Sequence, residues 1–122
     1  MALNITNREI NGVTVLELDG RVVLGEETNK LRENVKNLVS QGKKKIVLDV
    51  KNVTMIDSSG LGALVAAYSS AKSAGASLRL CNLGAHFNQL LQITKLLTVF
   101  EVSKTQEEAV SAFSKSAQVG AV

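Results

Sequence analysis

The sequence predicts a single α/β domain with a mixed, mostly parallel sheet that opens on a hairpin and is flanked by about four helices. Three observations carry this. Asn11-Gly12 parts two short extended runs, as a two-residue hairpin turn requires. Residues 45 to 50, KIVLDV, are almost continuously aliphatic, the mark of a strand covered on both faces. From there to the C-terminus, runs with helical apolar spacing alternate with short strands. The 122 residues suffice for one domain, assigned to 1–122 with a core over about 3–116 and a frayed tail over 117–122.

The elements follow in order. Residues 3 to 9 and 13 to 18 read as antiparallel strands, and in VTVLEL the apolar residues occupy both parities (Val13 and Val15, then Leu16 and Leu18). Leu31, Val35, Leu38 and Val39 fall on one face of a helix within 25 to 42, which opens on acids and stops at Gly42. After the strand at 45 to 50, a second helix runs from about Ser59 to Ser73. Leu61, Leu64, Val65 and Tyr68 form its apolar stripe, and Ala63, Ala66 and Ala67 allow close approach to a sheet. Residues 77 to 83 make the next strand, with Leu78 and Leu80 on one face. A third helix is expected over 86 to 97 and a last strand over 99 to 102. The final helix spans 105 to 116, where Thr105 and Glu108 have capping-box spacing.

Composition removes several function classes. A net charge of +3 is mild, and Lys43, Lys44 and Lys45 read as a solvated turn before a strand. With three Phe at apolar positions and no Trp, no basic face with stacking aromatics is available for nucleic acid. One cysteine, Cys81, forms no internal disulfide, and with the lone His86 it cannot build a usual zinc site. The N-terminus is too polar for a signal peptide, and no apolar run nears the twenty or so residues of a membrane span, so a cytoplasmic protein is expected.

Chemistry concentrates in residues 55 to 64, MIDSSGLGAL, at the end of the most aliphatic strand. Helix capping is one reading: Ser58 or Ser59 accepts a first-turn amide, Asp57 faces the positive helix end, and Gly60 and Gly62 bring the helix close to the sheet. A nucleophile elbow would need glycine two residues before the serine. Ile56 stands there for Ser58, and only His86 could serve as base. A phosphate cradle lacks both the third glycine of a dinucleotide fingerprint and a Walker lysine. A covalent phosphate on Ser58 joins the facts: the helix start tolerates its charge, while the surface offered to a partner changes.

The stretch VTMIDSSGLGALVAAYSSAKSAGASLRLCNL, following KKIVLDVKN, resembles the signature region of STAS-domain anti-sigma factor antagonists. The likeness runs from about Asn11 to Phe113. D-S-S-G-L-G is its most specific part, with LDG at 18 to 20 and the later LLQITKLLTVFEV in agreement. The resemblance implies a partner switch. The unphosphorylated antagonist binds a serine kinase that is also the anti-sigma factor, and so releases a sigma factor. The kinase phosphorylates Ser58 and ends binding, and a serine phosphatase restores it. By the same likeness Ser59 is a neighbouring hydroxyl or cap, and Asp57, Gly60, Leu61 and Gly62 shape the docking surface. Ser69 and Lys72 lie on a contact helix. One departure stands out. Where many relatives carry an acid after the glycine of the second strand, this chain has Val23, with Glu26 and Glu27 as possible substitutes. No catalytic residue, metal or cofactor is expected, nor direct nucleic-acid binding or membrane insertion. The alternative function is a constitutive STAS subunit docked on a membrane transport ATPase.

Overall fold

The structure is a computed structural model that describes residues 3–95 and 100–121, with side chains as far as Phe113. Its elements run β1 (Leu3–Ile10), β2 (Val13–Val22), α1 (Glu26–Ser40), β3 (Lys45–Ile56), α2 (Ser58–Ser73), β4 (Ser77–Cys81), α3 (Ala85–Ile93), β5 (Glu101–Ser103) and α4 (Gln106–Ala121). The sheet order is β1-β2-β3-β4-β5. The first pair is antiparallel and the other three are parallel, as the sequence predicts. Asn11 (φ 53°) and Gly12 (φ 81°) both take the positive φ angles of the hairpin turn.

The mixed parity of β2 has a simple cause: the sheet carries helices on both faces. Leu16 and Leu18 join Ile46, Leu48, Leu78 and Leu80 in the core beneath α1, α2 and α3. Val13, Val15, Val47 and Cys81 point the other way and pack under Ala109, Val110 and Phe113 of α4. Leu31, Val35 and Leu38 are buried in α1, and Ala63, Leu64, Ala67 and Ala71 in α2. The small residues of α2 let it lie close to the sheet and beside α1.

The ends of five elements differ from expectation. β2 and β3 run on to Val22 and Ile56, because backbone pairing (Asp19↔Asn52, Gly20↔Val53, Arg21↔Met55, Val22↔Ile56) continues past the apolar residues. β4 stops at Cys81, where Asn82 leaves the extended region at φ 59°. The third helix closes at Ile93. The expected Leu96, Leu97 and Val99 lie outside the described residues. α4 continues past 116 to Ala121. Its start is capped as predicted, with the Glu108 amide donating to Thr105 Oγ1 at 3.1 Å.

A polar network pins α4 to the sheet. Gln106 Nε2 donates to Asp49 Oδ2 at 2.8 Å and to Glu17 Oε2 at 3.0 Å. Asn82 Nδ2 also donates to Asp49 Oδ2, and the Lys51 amide donates to Asp49 Oδ1. The Gln106 bond, and then that of Arg8, hold the Glu17 carboxyl below its usual range. Burial, reinforced by the Asp49 and Glu17 charges, pushes the Cys81 thiol up to about 12, so it stays protonated and unreactive at neutral pH. Asp49 is itself buried. Asp49→Ala removes the shared acceptor of three donors, of which Gln106 keeps Glu17, and is expected to cost about 1–3 kcal/mol, read as a lower denaturation midpoint in urea.

Candidate functional site

β4 ends opposite Asp49, so the last seven residues of β3 project beyond it, paired only with β2. At about 3.3 Å per residue this two-stranded ribbon carries the turn at 57–60 some 20 Å past the Asp49 row. The turn thus sits at an exposed corner of the domain.

Its local geometry is decided by Asp57. An extended backbone (φ −112°, ψ −175°) makes Asp57 the N-cap of α2, and its Oδ1 accepts the Gly60 amide at 2.8 Å. The cap is therefore Asp57 and neither Ser58 nor Ser59. Ser58 is instead the first helical residue, exposed to solvent, and Ser59 is half-buried. The other oxygen, Oδ2, accepts the Leu24 amide at 3.1 Å from the loop joining β2 to α1. Bonds first from Gly60 and then from Leu24 hold the Asp57 carboxyl below its ordinary value. Its stabilising contribution is thus fully present above the ordinary aspartate pKa, and fades only as pH falls through the lower folded value.

The two glycines of the motif differ. A Cβ on Gly60 would stand 1.9 Å from the Val22 carbonyl oxygen, so this residue seats α2 directly on the end of β2. Gly62 has nothing within 4 Å and faces solvent, so it brings nothing closer to the sheet. Leu61 is a core residue. Gly60 and Leu61 thus shape the surface from beneath and are not free to touch a partner. Ser69 and Lys72 are exposed further along α2, where Lys72 Nζ lies 5.8 Å from the centre of the Tyr68 ring. Glu26 and Glu27 form the acidic first turn of α1 and suit its positive end. Val23 is half-buried between them and β2.

Sequence reasoning missed two residues here. Leu24 and Met55 are large apolar side chains left 74% and 51% exposed, one bonded to Asp57 through its backbone and the other two positions before it. Neither has a local signal beyond a single apolar residue next to a turn. The Ser58 hydroxyl has no hydrogen-bond partner among the described residues, and His86 is exposed at the start of α3. Chemically, the corner offers one unencumbered hydroxyl at a helix start, an ionised cap, and a rim of exposed apolar surface.

The family model described as STAS domain matches residues 4–109. The chain belongs to the STAS domain family. Two relatives carry the name anti-sigma factor antagonist. BtrV of Bordetella bronchiseptica is 27% identical over 91% of this chain and 95% of its own. The anti-sigma-B factor antagonist of Bacillus subtilis is 35% identical over 66% of this chain and 72% of its own. Among solved structures, the anti-sigma factor antagonist SpoIIAA in its unphosphorylated form shares the fold, with TM-score 0.69 at 16% identity over 93% of this chain and 98% of that one. Its phosphorylated form, from Bacillus, also gives TM-score 0.69, at 18% identity over 92% and 99% of the two chains. A sulfate transporter family protein of Wolinella succinogenes shares the STAS fold too (TM-score 0.74, 20% identity, 86% and 87% covered).

Proposed function

We propose that this STAS domain is an anti-sigma factor antagonist that works as a phosphorylation-switched binding protein in the cytoplasm, and not as an enzyme. Unphosphorylated, it binds and sequesters an anti-sigma serine kinase, freeing a sigma factor. Phosphate on Ser58 ends binding, and a serine phosphatase resets the switch. The observation that carries this reading is the Ser58 hydroxyl: exposed, unbonded, and at the first position of α2. A phosphate there brings about −1.5 to −2 charges next to Asp57, within reach of a helix start that tolerates them. The fold survives while the surface changes sign. SpoIIAA, which shares the fold, is known in both phosphorylation states. In this reading Asp57, Ser59, Gly62, Glu26 and Glu27 surround the kinase contact, and Ser69 and Lys72 extend it along α2.

The second reading is a constitutive subunit docked on a membrane transport ATPase; that a sulfate transporter family protein shares the fold supports only the link to transport. Among the described residues no helix is long and apolar enough to cross a membrane, so such an attachment would run through the partner. Affinity purification of the tagged chain, with mass-spectrometric identification of what it retains, separates the two. An ATP-binding serine kinase that also holds a sigma factor is expected. A transport ATPase recovered instead would replace the first reading with the second.

A further inference from the structure

The turn bearing Ser58 is joined to the end of β2 and the loop after it at three points. The Asp57 amide donates to the Val22 carbonyl at 3.4 Å, Gly60 lies against that carbonyl, and Asp57 Oδ2 takes the Leu24 amide at 3.1 Å. The third is the informative one. Capping needs a single side-chain oxygen, and Ser, Thr or Asn supplies it as well as Asp. What Asp57 adds is a second acceptor, spent on a backbone amide 33 residues away in sequence. That amide belongs to a leucine 74% exposed.

We propose that Asp57 is a positioning residue whose second oxygen holds Leu24 out beside Ser58 as the apolar anchor by which the kinase recognises this chain. The proposal rests on the reading of Ser58 as the kinase's substrate. A kinase that brings ATP to the Ser58 hydroxyl must cover the atoms around it, and Leu24 is hydrogen-bonded to the residue immediately before. Four large hydrophobic side chains are recorded as exposed among the described residues, and two of them, Leu24 and Met55, are beside Asp57. The others, Ile93 and Val102, stand on α3 and β5. Exposed apolar surface is what a partner pocket buries to gain affinity, and a loop already fixed in place loses less entropy when it docks. Recognition would then use the β2–α1 loop to select the partner and the serine to switch it.

The test has two arms. In the free chain, amide hydrogen exchange is followed at Leu24 and Gly60 in wild type and Asp57→Asn. Asparagine keeps one acceptor for the Gly60 cap but turns a donor toward Leu24. Exchange at Leu24 is expected to quicken at least tenfold while Gly60 stays protected. Unchanged exchange at Leu24 overturns the clamp. In the second arm, a purified anti-sigma serine kinase that phosphorylates wild type is assayed with Leu24→Ala, Asp57→Asn, the double variant and the Ile93→Ala control. Leu24→Ala is expected to lower kcat/KM at least tenfold, mainly through KM, and Ile93→Ala to match wild type. The double variant is expected to lose less than the product of the two single losses, because part of the effect of Asp57 runs through Leu24. Leu24→Ala within twofold of wild type, or losses that multiply in the double variant, overturn the proposal and leave the function of Ser58 standing. If no such kinase phosphorylates the wild-type chain, the reading of Ser58 falls and recognition by Leu24 falls with it. The exchange arm still decides the clamp.

Discussion

Ser58→Asp is expected to weaken binding of the unphosphorylated chain's kinase on the order of 100-fold while leaving the fold in place. A carboxylate at this position adds a second negative charge beside Asp57 at the corner that the partner must cover, and desolvating it there without a counter-charge, or bringing it against an acid of the partner, costs several kcal/mol. The stability side has opposing parts. A negative charge in the first turn of α2 gains roughly 0.3–1 kcal/mol from the helix dipole, and repulsion from the Asp57 cap offsets it. Denaturation midpoints within about 1 kcal/mol of wild type, paired with the lost binding, identify a switch that acts on the surface. A variant that binds its kinase like wild type contradicts the switch, and one that unfolds places Ser58 in the fold instead.

Gly60→Ala and Gly62→Ala are expected to move stability in opposite directions. The methyl on Gly60 would meet the Val22 carbonyl oxygen at 1.9 Å and its carbon at 2.8 Å, and both are backbone atoms in a paired strand. Either α2 or the end of β2 must shift, at a cost of about 1–3 kcal/mol or more. At Gly62 the methyl enters open space, and the better helix propensity of alanine favours folding by up to about 1 kcal/mol. Urea denaturation of both variants checks this. Because Gly60 seats the helix that presents Ser58, Gly60→Ala is also expected to lower phosphorylation, whereas Gly62→Ala tests contact alone.

The residues explain why some of this could be read from the sequence and some could not. Burial of consecutive aliphatics is a local property, so KIVLDV announced the central strand and the two parities of VTVLEL a strand covered on both sides for part of its length. The extension of β2 and β3 gave no such sign. Asn52 and Met55 are exposed and ordered by backbone pairing with Asp19 and Arg21, while Thr54, skipped by a register shift, donates its hydroxyl to the Gly20 carbonyl at 3.2 Å. Asp57, Ser58 and Ser59 are all good capping residues, and only the extended backbone at Asp57 selects among them. Gly60 and Gly62 look alike in the sequence and are separated by a carbonyl on another strand. The Leu24 bond to Asp57 spans 33 residues and has no local pattern at all. What the motif does show is the concentration of chemistry at one turn. Its division of labour, with Asp57 capping, Gly60 packing and Ser58 left free, belongs to the tertiary structure.

The central claim is that Ser58 is the phosphate acceptor, and intact-mass spectrometry tests it most directly. Wild type, Ser58→Ala and Ser59→Ala are each incubated with the co-purified kinase and ATP. Wild type and Ser59→Ala are predicted to gain the mass of one phosphate, and Ser58→Ala none. A single phosphate on Ser58→Ala together with none on Ser59→Ala would move the switch to the half-buried neighbour and contradict the account.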